Sequence, residues 1–163
     1  MNAIKKNDAS SADKLKRPSF PVDEKIHPWL SLLLEAYHIV DRGIAKAINT
    51  EEKKGKKLAC VKGCSHCCKN QDIPVYPLVL IGLSWYVTEK SPAQIREQIK
   101  RRLEQFKKDD PCPFLSEETC SVHAVRPMAC RQFNVFGRPC VEGEDPYYSR
   151  RGDVLDPVKK YVD

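Results

Sequence analysis

The run Cys60-Val61-Lys62-Gly63-Cys64-Ser65-His66-Cys67-Cys68 places four thiols within nine residues, and its reading governs everything around it. A two-residue gap such as Cys64-x-x-Cys67 turns the backbone so that both sulfurs face one ion, leaving nearby amides free to hydrogen-bond them. Moving outward, the next cysteines are Cys112, Cys120, Cys130 and Cys140, so the thiols form two groups with 43 residues between them. The second group has longer gaps and must close by tertiary folding. A tight knuckle plus distant ligands staples separate parts of a chain around metal, and all eight cysteines are candidate ligands.

The compartment decides how such a pattern is read. The first residues, MNAIKKNDASSADKLKRPSF, are polar and Lys-rich, and Ala3-Ile4 is followed at once by Lys5-Lys6, unlike the apolar core of a signal peptide. The longest apolar run, Tyr76 to Val87, is too short to span a bilayer and contains Pro77 and Ser84. A cytoplasmic protein without membrane association is expected. A reducing cytosol makes structural disulfides uncommon, so eight cysteines there point to metal or redox chemistry.

Charge fits the same view. The formal net charge is +6 with every cysteine neutral. A zinc with four thiolates, or a four-iron cluster with a +2 core, carries about −2, so two such sites would leave about +2. Lys62, Lys69, Arg126, Arg131 and Arg138 lie close in sequence to cysteines and read as internal compensation. Lysines 53, 54, 56 and 57 read equally well as a solvated basic face. The basic residues are not interleaved with exposed aromatics, so nucleic acid is not expected as a partner.

At 163 residues the chain has room for one domain and hardly for two. The expected layout is a disordered polar tail over 1–24, a cysteine-cluster domain over 25–145 and a polar C-terminal tail over 146–163. The domain is expected to be α-rich, with about three helices against an irregular cysteine-rich layer. The first helix is marked by Leu30, Leu33, Leu34, Tyr37, Val40, Ile44, Ala47 and Ile48 at helical spacing, with Pro28 in its first turn and an end near Gly55. After Pro77, the segment LVLIGLSWYVTEK is apolar nearly all round and predicts a central buried helix. Ser91-Pro92-Ala93-Gln94 predicts a capping box opening a surface helix with the stripe Ile95, Ile99, Leu103 and Phe106. Phe114-Leu115 and Ser121-Val122, flanking Ser-Glu-Glu-Thr, predict a short hairpin. No internal repeat and no Gly-rich phosphate loop is present.

Cys60-x-x-x-Cys64-x-x-Cys67-Cys68, Cys112-Pro-Phe-Leu, Cys120-Ser-Val-His and Arg126-Pro-x-x-Cys130-Arg131-x-Phe133 together resemble the YkgJ-like cysteine-cluster family, whose hallmark is a CxxCxxCC run. The resemblance covers roughly residues 60–140 in broken blocks and implies chelation of zinc or iron without supplying a reaction. The first gap here is three residues where the hallmark has two, a variant associated with flagellin lysine methylases that carry the same cluster. Cys140 lies outside the best-matched blocks.

The metal stays open between an iron–sulfur cluster, the [4Fe-4S] type included, and zinc. Soft thiolates suit both. All-thiolate ligation is typical of clusters, and only His66 and His123 lie near the cysteines. Eight cysteines equally divide into two closed four-sulfur zinc sites. Adjacent side chains tend to point apart, so one of Cys67 and Cys68 is expected to face the metal while the other serves a second site, packs, or acts as a redox thiol. The spacing Cys60-x-x-x-Cys64-x-x-Cys67 is also that of radical S-adenosylmethionine enzymes, but the strand–helix alternation of their partial barrel is missing. His66 and His123 read as loop histidines before ligands. Arg126 and Arg131 either donate to sulfur or pair with Glu117, Glu118 or the acidic tail, and Phe133 and Phe136 are expected to shield the metal. Three functions follow: an iron–sulfur module for electron transfer, metal handling or an accessory role with a protein partner; a zinc-stabilised interaction module; and a cluster-dependent enzyme such as a protein methyltransferase.

Overall fold

A computed structural model describes residues 15–69 and 73–158. The expected flexible tail therefore lies, for 1–14, outside the described residues, as does Tyr161. A short helix, α1 (Pro21–Ile26), leads into the long α2 (Pro28–Lys53), which serves as the spine. Leu30, Leu33, Leu34, Tyr37, Val40, Ile44 and Ala47 recur every three or four residues along α2 and are all buried, as their spacing requires. Pro28 opens the helix where a missing N–H costs nothing. Gly55, in the left-handed region at φ +88°, lies just past its end.

Next come α3 (Pro77–Glu89) and α4 (Ala93–Gln105). With α2 they make the three long helices of an α-rich fold. α3 is not buried all round. Val79, Gly82, Leu83 and Trp85 face inward, whereas Leu80 and Ile81 are 59% and 50% exposed. The reason is one-sided packing: α3 lies against α2 and against the 3₁₀ turn His123–Val125. An ideal Cβ on Gly82 would come within 2.4 Å of the Leu33 side chain, so this glycine lets α2 and α3 approach. The capping box of α4 does not form, because Ser91 Oγ donates to the Tyr86 carbonyl instead. Of the α4 stripe, Ile99 is buried while Leu103 and Phe106 stand exposed.

The hairpin is present as β1 (Leu115–Ser116) and β2 (Thr119–Cys120), antiparallel, with Leu115 opposite Cys120. Short α5 (Met128–Gln132) packs on α2, and α6 (Pro146–Ser149) follows near the end. Packing reaches outside 25–145 on both sides. Phe20 meets the Trp85 ring edge-on at 5.0 Å, and Val154 and Leu155 are buried. Segments around Leu58, Val135 and Val154 lie side by side through isolated antiparallel bridges, with Val135 and Phe136 in the middle. One buried cluster joins Leu30, Leu33, Leu34 and Tyr37 to Val79, Leu83, Val122 and Val125. A second joins Val40, Ile44 and Ala47 to Phe136 and Leu155. Phe136 is thus part of a hydrophobic cluster on α2.

Candidate metal centre

Four chain segments deliver the thiols. In the knuckle, the Cys64 N–H closes a turn on the Val61 carbonyl at 3.0 Å, and Gly63 supplies the left-handed φ of +86° that the turn demands. His66–Cys68 then form a 3₁₀ turn. Cys60 sits beside the three-segment ribbon, and its Sγ accepts the Val135 N–H at 3.3 Å. The Cys112 N–H donates to the Cys68 carbonyl at 2.7 Å, laying the second cysteine segment against the first. Cys120 comes from β2 and Cys130 from α5. Cys140 follows the bend at Gly137, and the Arg150 Nη2 lies 3.6 Å from its Sγ.

All eight cysteines are free thiols, each partly exposed. Burial and the neighbouring sulfurs both act on these thiols. Burial is the first cause raising Cys60, and the Cys64, Cys67 and Cys140 sulfurs raise it further. Burial pushes the Cys130 thiol up to about 12, followed by Cys112, Cys67 and Cys120. Cys112 and Cys120 are raised first by burial, with Cys67 again among the causes. Cys140 is raised by burial and by Cys64 and Cys67, with Arg150 opposing. Cys67 and Cys68 act on each other: Cys68 is pushed up and holds its proton, while Cys67 falls to about 7, with Cys68 the first cause. By these influences Cys60, Cys64 and Cys140 go together, Cys112, Cys120 and Cys130 go together with Cys68, and Cys67 acts on both sets. The sequence spacing had paired them differently, because register between distant loops is set by tertiary hydrogen bonds.

The cations near the cysteines divide in the same way. Lys69 pairs with Glu118 at 3.0 Å, Arg138 with Glu144 at 2.8 Å, and Arg131 with Asp41 at 2.6 Å. Arg131 is only 3% exposed and stacks on Tyr37 at 4.0 Å. It contacts neither sulfur nor Glu117 nor Glu118, so neither role expected of it holds. Arg126 acts on several thiols, favouring the charged forms of Cys67, Cys120 and Cys130, as Arg102 does for Cys112 and Arg150 for Cys140. Its Nη1 meets His123 Nε2, while its buried Nε has no partner. His66 Nδ1 is likewise buried without one.

A soft metal fits this donor set in kind: eight sulfurs, the guanidiniums of Arg126 and Arg150 beside them, and the orphaned buried nitrogens of His66 and Arg126. Among the described residues, no three Cys, His, Asp or Glu side chains form a group that could hold a metal ion as they stand. The thiols are neighbours, not a closed shell. Sequence reasoning missed Ser65, Asp41 and Arg150, and gave Glu118 the wrong partners, though each fixes a cysteine-bearing segment. The Glu-Glu turn was the one available signal, since glutamate is unusual at a tight hairpin tip.

A family model, CxxCxxCC, described as "Putative zinc- or iron-chelating domain", matches residues 59–151. That span takes in all eight cysteines, Cys140 included, together with Arg150. No curated protein and no solved structure matches the chain.

Proposed function

The chain belongs to the CxxCxxCC family of zinc- or iron-chelating domains, and from that premise we propose that its thiols hold an iron–sulfur cluster serving electron transfer, metal handling or an accessory role. The observation that carries this reading is that four chain segments bring eight free thiols, with the Cys112 N–H on the Cys68 carbonyl and the Val135 N–H on Cys60 Sγ tying those segments together. Cys60, Cys64, Cys67, Cys68, Cys112, Cys120, Cys130 and Cys140 are the proposed ligands. A bound cluster would supply one-electron redox chemistry at a potential tuned by its surroundings. The chain contributes the rest. The Val135 amide and Arg150 donate to sulfur, and Arg126 brings positive charge and an unpaired N–H to the same region. Burial disfavours bare thiolates, so loading is expected to release protons.

The division into two thiol groups favours zinc as the second reading, with Cys67 completing the smaller group into a four-sulfur site. Free thiols suit a reducing, cytoplasmic setting, and no helix among the described residues is long and apolar enough to cross a membrane. Anaerobic purification, metal analysis and a visible spectrum test the proposal. Iron and sulfide with absorption near about 400 nm are expected. Zinc without such absorption overturns the iron–sulfur reading, and fully reduced protein that takes up neither metal overturns both.

A further inference from the structure

Two of the cysteine-bearing segments, 60–69 and 112–120, meet at a point where a single carboxylate reaches from one to the other. Glu118 stands at the hairpin tip between β1 and β2. One of its oxygens accepts a hydrogen bond from Ser65 Oγ, and the other pairs with Lys69 Nζ at 3.0 Å. Ser65 is 3% exposed, a buried hydroxyl inside the knuckle between Cys64 and Cys67. Both contacts hold the carboxyl group below the usual carboxylate range, Ser65 most strongly.

The backbone argues against a local reason for this residue. Glu118 has φ +57° and Glu117 φ +47°. Two successive left-handed residues make the type of two-residue hairpin turn in which Asn and Gly are favoured, and a side chain with a β-carbon is strained there. Turn propensity alone would select glycine at 118. What glutamate adds is reach, and that reach ends on the knuckle. The ion pair to Lys69 is largely solvated and contributes little by itself. The Ser65-to-carboxylate bond, with its donor buried, is the stronger of the two contacts.

We infer that Glu118 is a positioning residue: through Ser65 it sets the Cys64–Cys68 knuckle against the hairpin that carries Cys120, and so fixes how the two halves of the thiol set face each other. This rests on the metal-chelating reading. Residues of this kind, one step removed from the ligands, typically change metal affinity by roughly 10–100-fold.

Glu118→Gly separates the two possible roles, because glycine relieves the turn while deleting the tie. In the reduced, metal-free protein, E118G is expected to melt no lower than the parent, yet its knuckle cysteines should alkylate faster. After loading with zinc or iron, metal loss to a competing chelator should quicken by roughly ten-fold or more. Ser65→Ala should reproduce both effects, and Glu118→Gln, which keeps an acceptor for Ser65, should fall between. Parental metal retention in both E118G and S65A overturns the inference. A parent protein that takes up no metal overturns the chelation reading instead, and the alkylation rates then decide the tie alone.

Discussion

Arg131 shows how one buried side chain can hold several pieces of this fold. Its Nη1 donates to Asp41 at 2.6 Å, its Nε to the Arg126 carbonyl at 3.0 Å and its Nη2 to the Ala124 carbonyl at 2.7 Å. The guanidinium plane lies over Tyr37, whose hydroxyl donates to the Val125 carbonyl at 3.1 Å. This planar fork anchors the 124–131 stretch, including Cys130, to α2, and a lysine could not reproduce it. Removing one partner of a buried pair leaves an uncompensated charge, so Asp41→Asn should cost about 2–3 kcal/mol in a urea or thermal melt. Replacing both partners by apolar residues, Asp41→Leu with Arg131→Met, should recover most of that loss. Equal losses in the single and double variants would show that the carbonyl contacts, not the ion pair, dominate. None of this could be read from residues 41 and 131 in sequence, since a 90-residue separation leaves no local trace.

Among the elements, the N-terminal strap around α1 carries its own acid switch-point. Glu24 accepts the Phe20 N–H at 2.8 Å and pairs with Arg17 at 2.7 Å, and these contacts, Arg17 first, lower its carboxyl to about 2. A carboxyl lowered by folding stabilises fully above its ordinary range and loses that contribution as pH falls toward the lowered value. Between about pH 4.5 and 2 the strap should therefore loosen, reported by Trp85 fluorescence through the Phe20 contact. Glu24→Gln should remove that pH dependence; an unchanged profile would assign it elsewhere. The elements also show what sequence can carry. α2 was legible because one apolar stripe met one buried face, and Pro28 and Gly55 mark its ends. The hairpin was legible from the polar stretch Ser-Glu-Glu-Thr, although its outer two residues pair as strand and only Glu117 and Glu118 make the turn. α3 was misjudged because a helix apolar on all sides records no direction, and only its neighbours reveal that Leu80 and Ile81 face outward. All eight thiols were visible as candidates, but their partition about Cys67 depends on hydrogen bonds between loops, which no spacing encodes.

Across the whole molecule, the hydrophobic clusters and the thiols occupy largely separate residues. Both clusters are built mainly on α2, α3 and the segments that pack against them. Metal removal should accordingly leave most helical circular dichroism in place, unlike small modules that unfold without zinc. Amide exchange should then be uneven: slow across α2 and α3, fast across 60–69 and 112–120. Uniform loss of protection on chelation would mean that metal, not the helical layers, holds the fold together. The three-segment ribbon of Leu58, Val135 and Val154 adds a further consequence. Its middle segment holds Cys60 through the Val135 N–H, and Cys140, 80 residues further along the chain, is among the sulfurs that raise Cys60. A metal shared by these two sulfurs would act as a rivet under tension. Pulled from its ends, the loaded protein should keep that span out of reach until the metal–thiolate bonds rupture, then lengthen abruptly by roughly 270 Å at full extension. The metal-free protein should lengthen over the same distance without the final high-force step.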